Sequence, residues 1–174
     1  MSKRFYSGFS LSNDADFFKE YMLSSEYAVS GFSYGAIKAA EYAAAHKGRI
    51  DLLQLFSPAF FQNRPEKYKR MQMMGFKKDA SGYISLFRAN SFAPYPQHDV
   101  DEGDSSEASL RELLYYEWKP ELLHRIIAKG TKIEIYVGGR DEIIDPKAVR
   151  DFFLPYATVY TITDANHFLQ ENQT

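Results

Sequence analysis

The sequence of 174 residues contains no cysteine, which excludes disulfide bonds, thiolate metal sites and cysteine nucleophiles. It also has no apolar run of about 18 residues, the length that suggests a membrane-spanning helix, and no basic segment leading into an apolar one at its start. We therefore expect a chain that is neither anchored in a membrane nor exported, and that resides in the cytoplasm. Any nucleophile must be something other than a thiol.

A strong excess of charge of one sign is also missing, because 21 basic and 23 acidic residues leave a net charge of -2. This balance, and the lack of any nucleic-acid-binding motif, argue against a nucleic-acid partner. The apolar share of 45% and the charged share of 25% are those of a globular protein. The length suits a single domain over residues 1–174.

Short apolar runs alternate with helical patterns along most of the chain. Strands are predicted at 3–9, 27–30, 50–56, 132–137 and 158–163, with helices over 12–23, 35–47 and 145–154 and a further helix at the end of the chain. Strands separated by helices predict an α/β fold with a mostly parallel sheet covered on both faces. The interval of about 60–128 breaks this alternation and is predicted to be a helical lid insert.

The segment GFSYG at residues 31–35 lies between a predicted strand and a predicted helix. In such a sharp turn the hydroxyl of Ser33 would project over the carboxyl ends of the strands, and glycines two positions either side would avoid collisions with large side chains. Ser33 is therefore a candidate nucleophile. A purely structural tight turn is the alternative.

A serine nucleophile requires a base, and the chain has four histidines. His46 lies near the end of a helix, His98 in a polar loop and His124 in a helix of the lid. His167 follows the strand 158–163 through a short loop, which is the position that a base must occupy. Its alternative role is to cap or pack the last helix.

The acid that orients the imidazole should follow the preceding strand, where Asp141, Glu142 and Asp145 lie. Asp145 precedes Pro146, the ordinary pairing at a helix N-cap and first turn. Asp141 is therefore favoured over Asp145 and Glu142. Ser33, Asp141 and His167 then occur in the chain order of α/β-hydrolases.

Two backbone amides are predicted to bind the oxyanion of the reaction, those of Tyr34 after the serine and of Phe9 in the loop after the first strand. Gly8 would let the backbone approach a substrate. Ser7 stands where hydrolases of this type often carry histidine, and an ordinary turn is the alternative interpretation of the segment 7–9.

Several segments together resemble the BioV family of small pimeloyl-acyl carrier protein methyl ester esterases: RFYSGF, YAVSGFSYGAIKA, LLQLFSPAF, KIEIYVGGRDEIID and DANHFLQ. The resemblance spans nearly the whole chain, although residues 92–109 align less clearly. It implies a compact α/β-hydrolase fold in which Ser33, Asp141 and His167 are catalytic and no cofactor or metal is required. The implied reaction is hydrolysis of the methyl ester of a pimeloyl chain on acyl carrier protein, a step of biotin biosynthesis that yields methanol.

The lid segment 64–78 has six basic residues against one acidic: Arg64, Lys67, Lys69, Arg70, Lys77 and Lys78. Because acyl carrier proteins are acidic, we hypothesise that these residues dock the carrier, with Met71, Met73 and Met74 able to face an acyl chain. The alternative is a solvated basic face that balances the acidic stretch 99–107.

Other functions remain open at this point. A different serine esterase or thioesterase would need the same three side chains, and a hydrolase-like scaffold could bind an acyl group or a protein without chemistry. The acidic loop contains His98, Asp99, Asp101 and Asp104, but it lacks the spacing of a calcium-binding loop and we expect it to be mobile. The sequence predicts no oligomeric state.

Overall fold

A computed structural model describes residues 4–172 of the chain. Five strands are present in these residues: β1 Arg4–Tyr6, β2 Ala28–Phe32, β3 Leu52–Phe56, β4 Lys132–Gly138 and β5 Thr158–Ile162. They form one parallel sheet in the order β1-β2-β3-β4-β5, so that all their carboxyl ends lie at one edge. The predicted α/β class is confirmed, and Lys3, part of the first predicted strand, lies outside the described residues.

Helices cover one face of this sheet. The α-helices are α1 Tyr34–Ala45, α2 Glu66–Lys78, α3 Ala80–Phe92, α4 Glu107–Tyr115, α5 Pro120–Ala128 and α6 Pro146–Phe153. The inward face of α1 carries fully buried alanines, among them Ala36, Ala39 and Ala40, so the helix can approach the sheet closely. Alternate strand residues such as Leu53 and Ile135 belong to the same core, as the period of a strand requires.

The opposite face of the sheet is covered by aromatic side chains instead of α-helices. A short 3₁₀-helix, Asp14–Phe18, places Phe18 on the sheet, where its ring stacks on Phe56 with centroids 4.8 Å apart. Phe92 and Phe168 stack beside it at 4.1 Å. Burial of aromatic side chains at this density contributes about 1.5–3 kcal/mol for each ring relative to exposure.

Two predicted helices differ in the structure. The helix predicted over 12–23 is reduced to the 3₁₀-helix, and beyond it the side chain of Gln54 binds the carbonyl of Tyr21 at 2.8 Å and the amide of Leu23 at 2.9 Å in place of helical partners. The predicted terminal helix is wrong for the described residues after 163, which form turns. Leu169 has a φ of 58°, a conformation that a right-handed helix cannot continue.

The helices α2 to α5 lie between β3 and β4, and α5 packs against α1 while α2 packs against α3 and α4. The acidic loop that follows α3 is hydrogen-bonded to the loop after β1, although we expected it to be mobile. The amide of Gly103 donates to the carbonyl of Ser10 at 3.1 Å, and the amide of Ser12 donates to that of Asp101 at 3.2 Å. In the described part of the chain, no helix has the length and hydrophobicity needed to cross a membrane.

Candidate active site

Ser33 occupies a strained turn between β2 and α1. Its φ of 54° lies in the left-handed region, which costs a residue other than glycine about 1–3 kcal/mol. Surrounding hydrogen bonds hold the turn: the amide of Ser33 donates to the carbonyl of Phe56 at 2.9 Å, and its own carbonyl accepts from Ala36 and Ala59, both at 3.1 Å. The serine is thereby fixed at the carboxyl edge of the sheet.

The two glycines of GFSYG are required by close backbone contacts. A Cβ atom on Gly31 would lie 2.3 Å from the carbonyl oxygen of Gly35, and one on Gly35 would lie 2.0 Å from that of Tyr6. Both distances are far shorter than any non-bonded contact, so neither position accepts a larger residue without moving the backbone. The spacing of this motif is therefore a steric consequence of the turn.

His167 lies in the loop after β5 and contacts the serine. Its Nε2 atom is 3.0 Å from Ser33 Oγ, and its Nδ1 atom is 2.5 Å from Asp141 Oδ2. The hydroxyl of Ser57, the residue after β3, donates a hydrogen bond to the carbonyl of His167 at 2.6 Å and so fixes the position of this loop. The three predicted side chains thus form one hydrogen-bonded chain, although they come from three separate loops.

Asp141 is held by the loop after β4. Its second carboxylate oxygen, Oδ1, accepts hydrogen bonds from the amides of Ile143 at 2.8 Å and Ile144 at 3.0 Å. These amides stabilise negative charge on a carboxylate whose side chain is fully buried. Asp145 instead caps α6 by accepting from the amide of Lys147 at 3.0 Å, and Glu142 is exposed. Among these three acids, only Asp141 is hydrogen-bonded to His167 within the described residues.

The two predicted oxyanion donors stay predictions, but the structure places both near Ser33. Tyr34 is the first residue of α1, where an amide has no acceptor inside its own helix. Phe9 lines the same cavity as Ser33 and His167, and within residues 4–172 its amide donates no hydrogen bond. Neither amide therefore donates a hydrogen bond in the part of the chain that the structure describes.

The cavity above Ser33 is closed. Its volume is about 10 Å³, roughly the space of one water molecule, and Ser33 is 2% exposed. Four side chains of α3 form its outer wall: Ile84, Phe87, Arg88 and Ser91. The hydroxyl therefore lies at the predicted edge of the sheet but is not open to solvent, because α3 covers it. The residues of α3 therefore lie between the serine and solvent.

The remaining histidines lie away from this cavity. The Nδ1 atom of His46 is 2.9 Å from the hydroxyl of Tyr42, His98 is exposed, and His124 packs its ring against Tyr156. None of the three contacts Ser33 in the part of the chain that the structure describes.

The six basic residues of the segment 64–78 divide into two groups. Arg64 and Lys69 are half-buried against the rings of Tyr68 and Tyr115. The other four lie on the exposed face of α2: Lys67, Arg70, Lys77 and Lys78. None of the six lines the cavity above Ser33 in the described structure.

The three methionines of the same segment also divide. Met71 is 60% and Met74 is 68% exposed beside the basic residues, whereas Met73 is 4% exposed and packs in the core. The hypothesis that all three face an acyl chain is therefore wrong for Met73. It belongs to the inward side of α2, together with Phe76.

The sequence did not single out three side chains close to this site. Ser57 follows a strand and precedes a proline, a pattern that indicates only a turn. Arg88 lies in a helix of the predicted lid with no local sign that it would reach the cavity. Asp14 falls within the helix predicted over 12–23 with no sign in the sequence that it would be buried, yet in the structure it is fully buried, and burial raises the pKa of its carboxyl.

No protein-family model and no curated protein matches the sequence. Solved structures do match the fold. One is a carboxylesterase from Nitrososphaera gargenis, with 17% identity over 81% of this chain and a TM-score of 0.58; the chain spans 57% of its length. Another is a hydrolase from Oleispira antarctica, with 12% identity, a TM-score of 0.62 and coverage of 97% of this chain and 85% of that one.

BioG from Haemophilus influenzae is also similar in structure, with 10% identity and a TM-score of 0.57 over 95% of this chain and 87% of its own. Identities at this level show the fold and leave activity and substrate open. The parallel sheet, the turn at Ser33 and these matches agree, so the chain has the α/β-hydrolase fold in a compact form with a helical lid insert.

Proposed function

We propose that this protein is a cytoplasmic serine carboxylesterase that hydrolyses the methyl ester of pimeloyl-acyl carrier protein methyl ester in biotin biosynthesis. The observation that carries the proposal of hydrolysis is the contact of Ser33 Oγ with His167 Nε2 at 3.0 Å, in line with Asp141 at 2.5 Å from Nδ1. The choice of substrate depends on the resemblance of five sequence segments to the BioV family.

In the proposed reaction, Ser33 attacks the ester carbonyl while His167 accepts its proton. Asp141 holds the imidazole in the tautomer that presents Nε2 to the serine and stabilises the imidazolium that forms. The amides of Phe9 and Tyr34 bind the oxyanion of the tetrahedral intermediate. His167 then returns the proton to the leaving methanol, and a water molecule hydrolyses the acyl-enzyme by the same route.

The reaction needs no metal or organic cofactor, because the serine, base and oxyanion donors supply every proton transfer and charge contact. It does require that the methyl ester reach Ser33 while the thioester at the other end of the chain stays outside. The apolar side chains that line the cavity, such as Phe32, Phe87 and Phe168, suit an acyl chain, but the cavity must widen beyond about 10 Å³ to admit one.

The proposed partner is an acidic acyl carrier protein that docks on the outer face of α2. Lys67, Arg70 and Lys78 present positive charge there, with Lys77 paired to Glu107 at 3.0 Å, and Met71 and Met74 add exposed apolar surface between them. Arg64 and Lys69 flank this face. Attraction between such surfaces raises the rate of encounter and fixes orientation, more than it adds affinity. Neither a nucleic acid nor a membrane is part of the proposal.

One observation favours the alternative of a scaffold without chemistry. Ser33 is 2% exposed beneath α3, and a hydroxyl that never became accessible could not act on an ester. The alternative of a different esterase or a thioesterase is compatible with the same three side chains. Two experiments separate these cases.

The first experiment is covalent labelling of Ser33 with a small fluorophosphonate, which reacts with activated serines. We expect labelling of the wild-type protein and its loss in Ser33→Ala and His167→Ala, with ester turnover falling by about 10⁴-fold or more. His98→Ala, an exposed histidine, serves as the control and should react like the wild type. An unlabelled wild-type protein, or a His167→Ala variant that reacts at the same rate, would contradict an activated serine.

The second experiment compares methanol release with thioester cleavage on pimeloyl-acyl carrier protein methyl ester. We expect methanol and pimeloyl-acyl carrier protein as products, with the thioester intact, because only the methyl end is proposed to reach Ser33. Cleavage of the thioester would indicate a thioesterase, and hydrolysis of short free esters alone would indicate a different serine esterase. Either result would contradict the proposed substrate but not the proposed role of Ser33.

A further inference from the structure

Asp14 is a buried carboxyl group that the proposed proton transfers do not use. The residue has 0% exposure, and its Oδ2 atom accepts a hydrogen bond from the amide of Gly8 at 2.8 Å. Its Oδ1 atom has no partner within hydrogen-bond geometry in the described residues, although the hydroxyl of Ser7 lies near enough to the carboxyl to oppose the rise in its pKa that burial causes. Burying a carboxyl group with one oxygen unpaired is costly, and such a group calls for an explanation beyond packing.

The amide that Asp14 holds lies in the loop that carries the proposed oxyanion donor. The carbonyl of Gly8 accepts a hydrogen bond from the amide of Leu11 at 3.2 Å, in a turn where Ser10 has a φ of 61°. The peptide bond from Gly8 to Phe9 is trans and planar, so its N–H points away from its C=O. With the carbonyl directed to Leu11, the N–H of Phe9 is directed to the opposite side of the loop.

Asp14 is itself anchored in the core. It begins the 3₁₀-helix whose last residue, Phe18, is fully buried and stacks on Phe56. The loop in turn presses on the sheet, since a Cβ atom on Gly8 would lie 2.8 Å from the ring of Phe32. The ring of Phe32 is also a neighbour of His167, with centroids 5.0 Å apart. The loop that contains Gly8 and the proposed base His167 therefore pack against the same core residue, Phe32.

We propose that Asp14 is a positioning residue for the oxyanion site. By binding the amide of Gly8 it fixes the peptide plane before this glycine, and with the bond from Leu11 it sets the direction of the Phe9 amide toward the cavity above Ser33. The inference rests on the proposed function, because it assigns Asp14 a role in that reaction. Asp14 does not touch the substrate or the reacting atoms.

What this role requires of Asp14 is an acceptor at the right place, and not a negative charge. A charge close to a developing oxyanion would oppose it, and burial raises the pKa of Asp14, which favours the neutral form. An asparagine has nearly the same shape and can offer its amide oxygen to Gly8. Alanine and serine are too short to reach it.

The test uses three variants of the full chain, Asp14→Asn, Asp14→Ala and Asp14→Ser, and measures kcat and KM on a short p-nitrophenyl ester. We expect Asp14→Ala to lower kcat by about 10–100-fold with KM nearly unchanged, since loss of one oxyanion donor costs about 10²–10³-fold and the loop is only partly released. Asp14→Asn should keep kcat within about threefold of the wild type. Asp14→Ser keeps a polar residue at the start of the 3₁₀-helix, and it replaces Asp14→Ala in the test if Asp14→Ala does not fold. We expect Asp14→Ser to lower kcat by the same factor of about 10–100.

A matched control is Thr131→Val. Thr131 is 3% exposed and its hydroxyl donates to the carbonyl of Ile50 at 2.7 Å, so the variant also leaves one buried backbone group unpaired, but at the amino edge of the sheet. It should lower the unfolding temperature and leave kcat unchanged. Rates for Asp14→Ser or Asp14→Ala equal to the wild type, or an Asp14→Asn rate as low as theirs, would overturn the positioning role alone. A wild-type protein that neither hydrolyses esters nor reacts with a fluorophosphonate would overturn the proposed function and this role together.

Discussion

At the scale of single residues, the site consists of three side chains that are each held by a different backbone device. Ser33 is fixed by a left-handed turn, Asp141 by two amides of its own loop, and His167 by a hydroxyl from a neighbouring strand end. The sequence predicted the first because the glycine spacing follows from local collisions. It separated Asp141 from Asp145 because a cap before a proline is also a local signal. Their catalytic roles stay predictions.

Substitutions of Ser57 test whether catalysis depends on the position of His167. Ser57→Ala removes the buried bond to the carbonyl of His167, which is 2.6 Å long in the structure. The loss of such a bond costs about 1–1.5 kcal/mol, so we expect kcat to fall by about tenfold if His167 is displaced, with KM little changed. Ser57→Gly should lower kcat as much while relieving the φ of 42° at this position. Steady-state kinetics check both, and a kcat equal to the wild type in either variant would show that the hydroxyl serves only stability.

At the scale of elements, α3 is the helix that covers the site. Its Arg88 donates through Nη2 to the carbonyl of Ser10 at 3.3 Å, and its last residue, Phe92, accepts through its carbonyl from Asn166 Nδ2 at 2.8 Å. The lid helix is thus joined to the loop of Phe9 and to the loop of His167. A helical insert could be predicted from the pattern of residues 60–128, but its closure over Ser33 could not, because closure depends on packing against distant loops.

Arg88→Met is expected to loosen α3 from the loop after β1. The replacement keeps the length of the side chain and removes the hydrogen bond to Ser10 and the long ion pair with Glu102, at 3.8 Å. Because α3 covers Ser33, we expect its loosening to make labelling by a bulky fluorophosphonate about 3–10-fold faster, the effect of about 0.5–1.5 kcal/mol for one hydrogen bond.

The matched control is Arg111→Met, an exposed position on α4 outside the cavity wall, which should not change the labelling rate. A slower or unchanged rate in Arg88→Met would show that this contact does not keep the lid closed.

At the scale of the whole molecule, charge is nearly balanced at -2 but unevenly placed, with a basic face on α2. For the proposed carrier docking, the double variant Lys67→Glu, Arg70→Glu should raise KM for the carrier-bound ester by about tenfold or more at low salt and leave hydrolysis of a short free ester unchanged. The effect should shrink as salt is added, since exposed charges are screened. Steady-state kinetics at two salt concentrations measure it.

The control for this surface is Lys47→Glu, Lys132→Glu, two exposed residues at the amino edge of the sheet that carry the same change of charge. It should leave KM for the carrier-bound ester unchanged. Equal KM values for both double variants would mean that the α2 face is a solvated surface and does not dock the carrier.

Local pattern by itself determined much of this protein: the alternation of strands and helices, the parallel sheet that follows from it, and the sharp turn at Ser33. These features depend on residues within a few positions of one another. Only the tertiary structure decided that Gln54 binds the backbone of Tyr21 and Leu23, that Asp14 turns inward to the loop of Phe9, and that α3 covers the cavity. Each of those outcomes depends on contacts between segments far apart in the chain, which no local pattern encodes. The bond of His167 to a serine 134 positions away also joins distant segments, but it could be predicted because both residues follow strands whose carboxyl ends lie at one edge of the sheet.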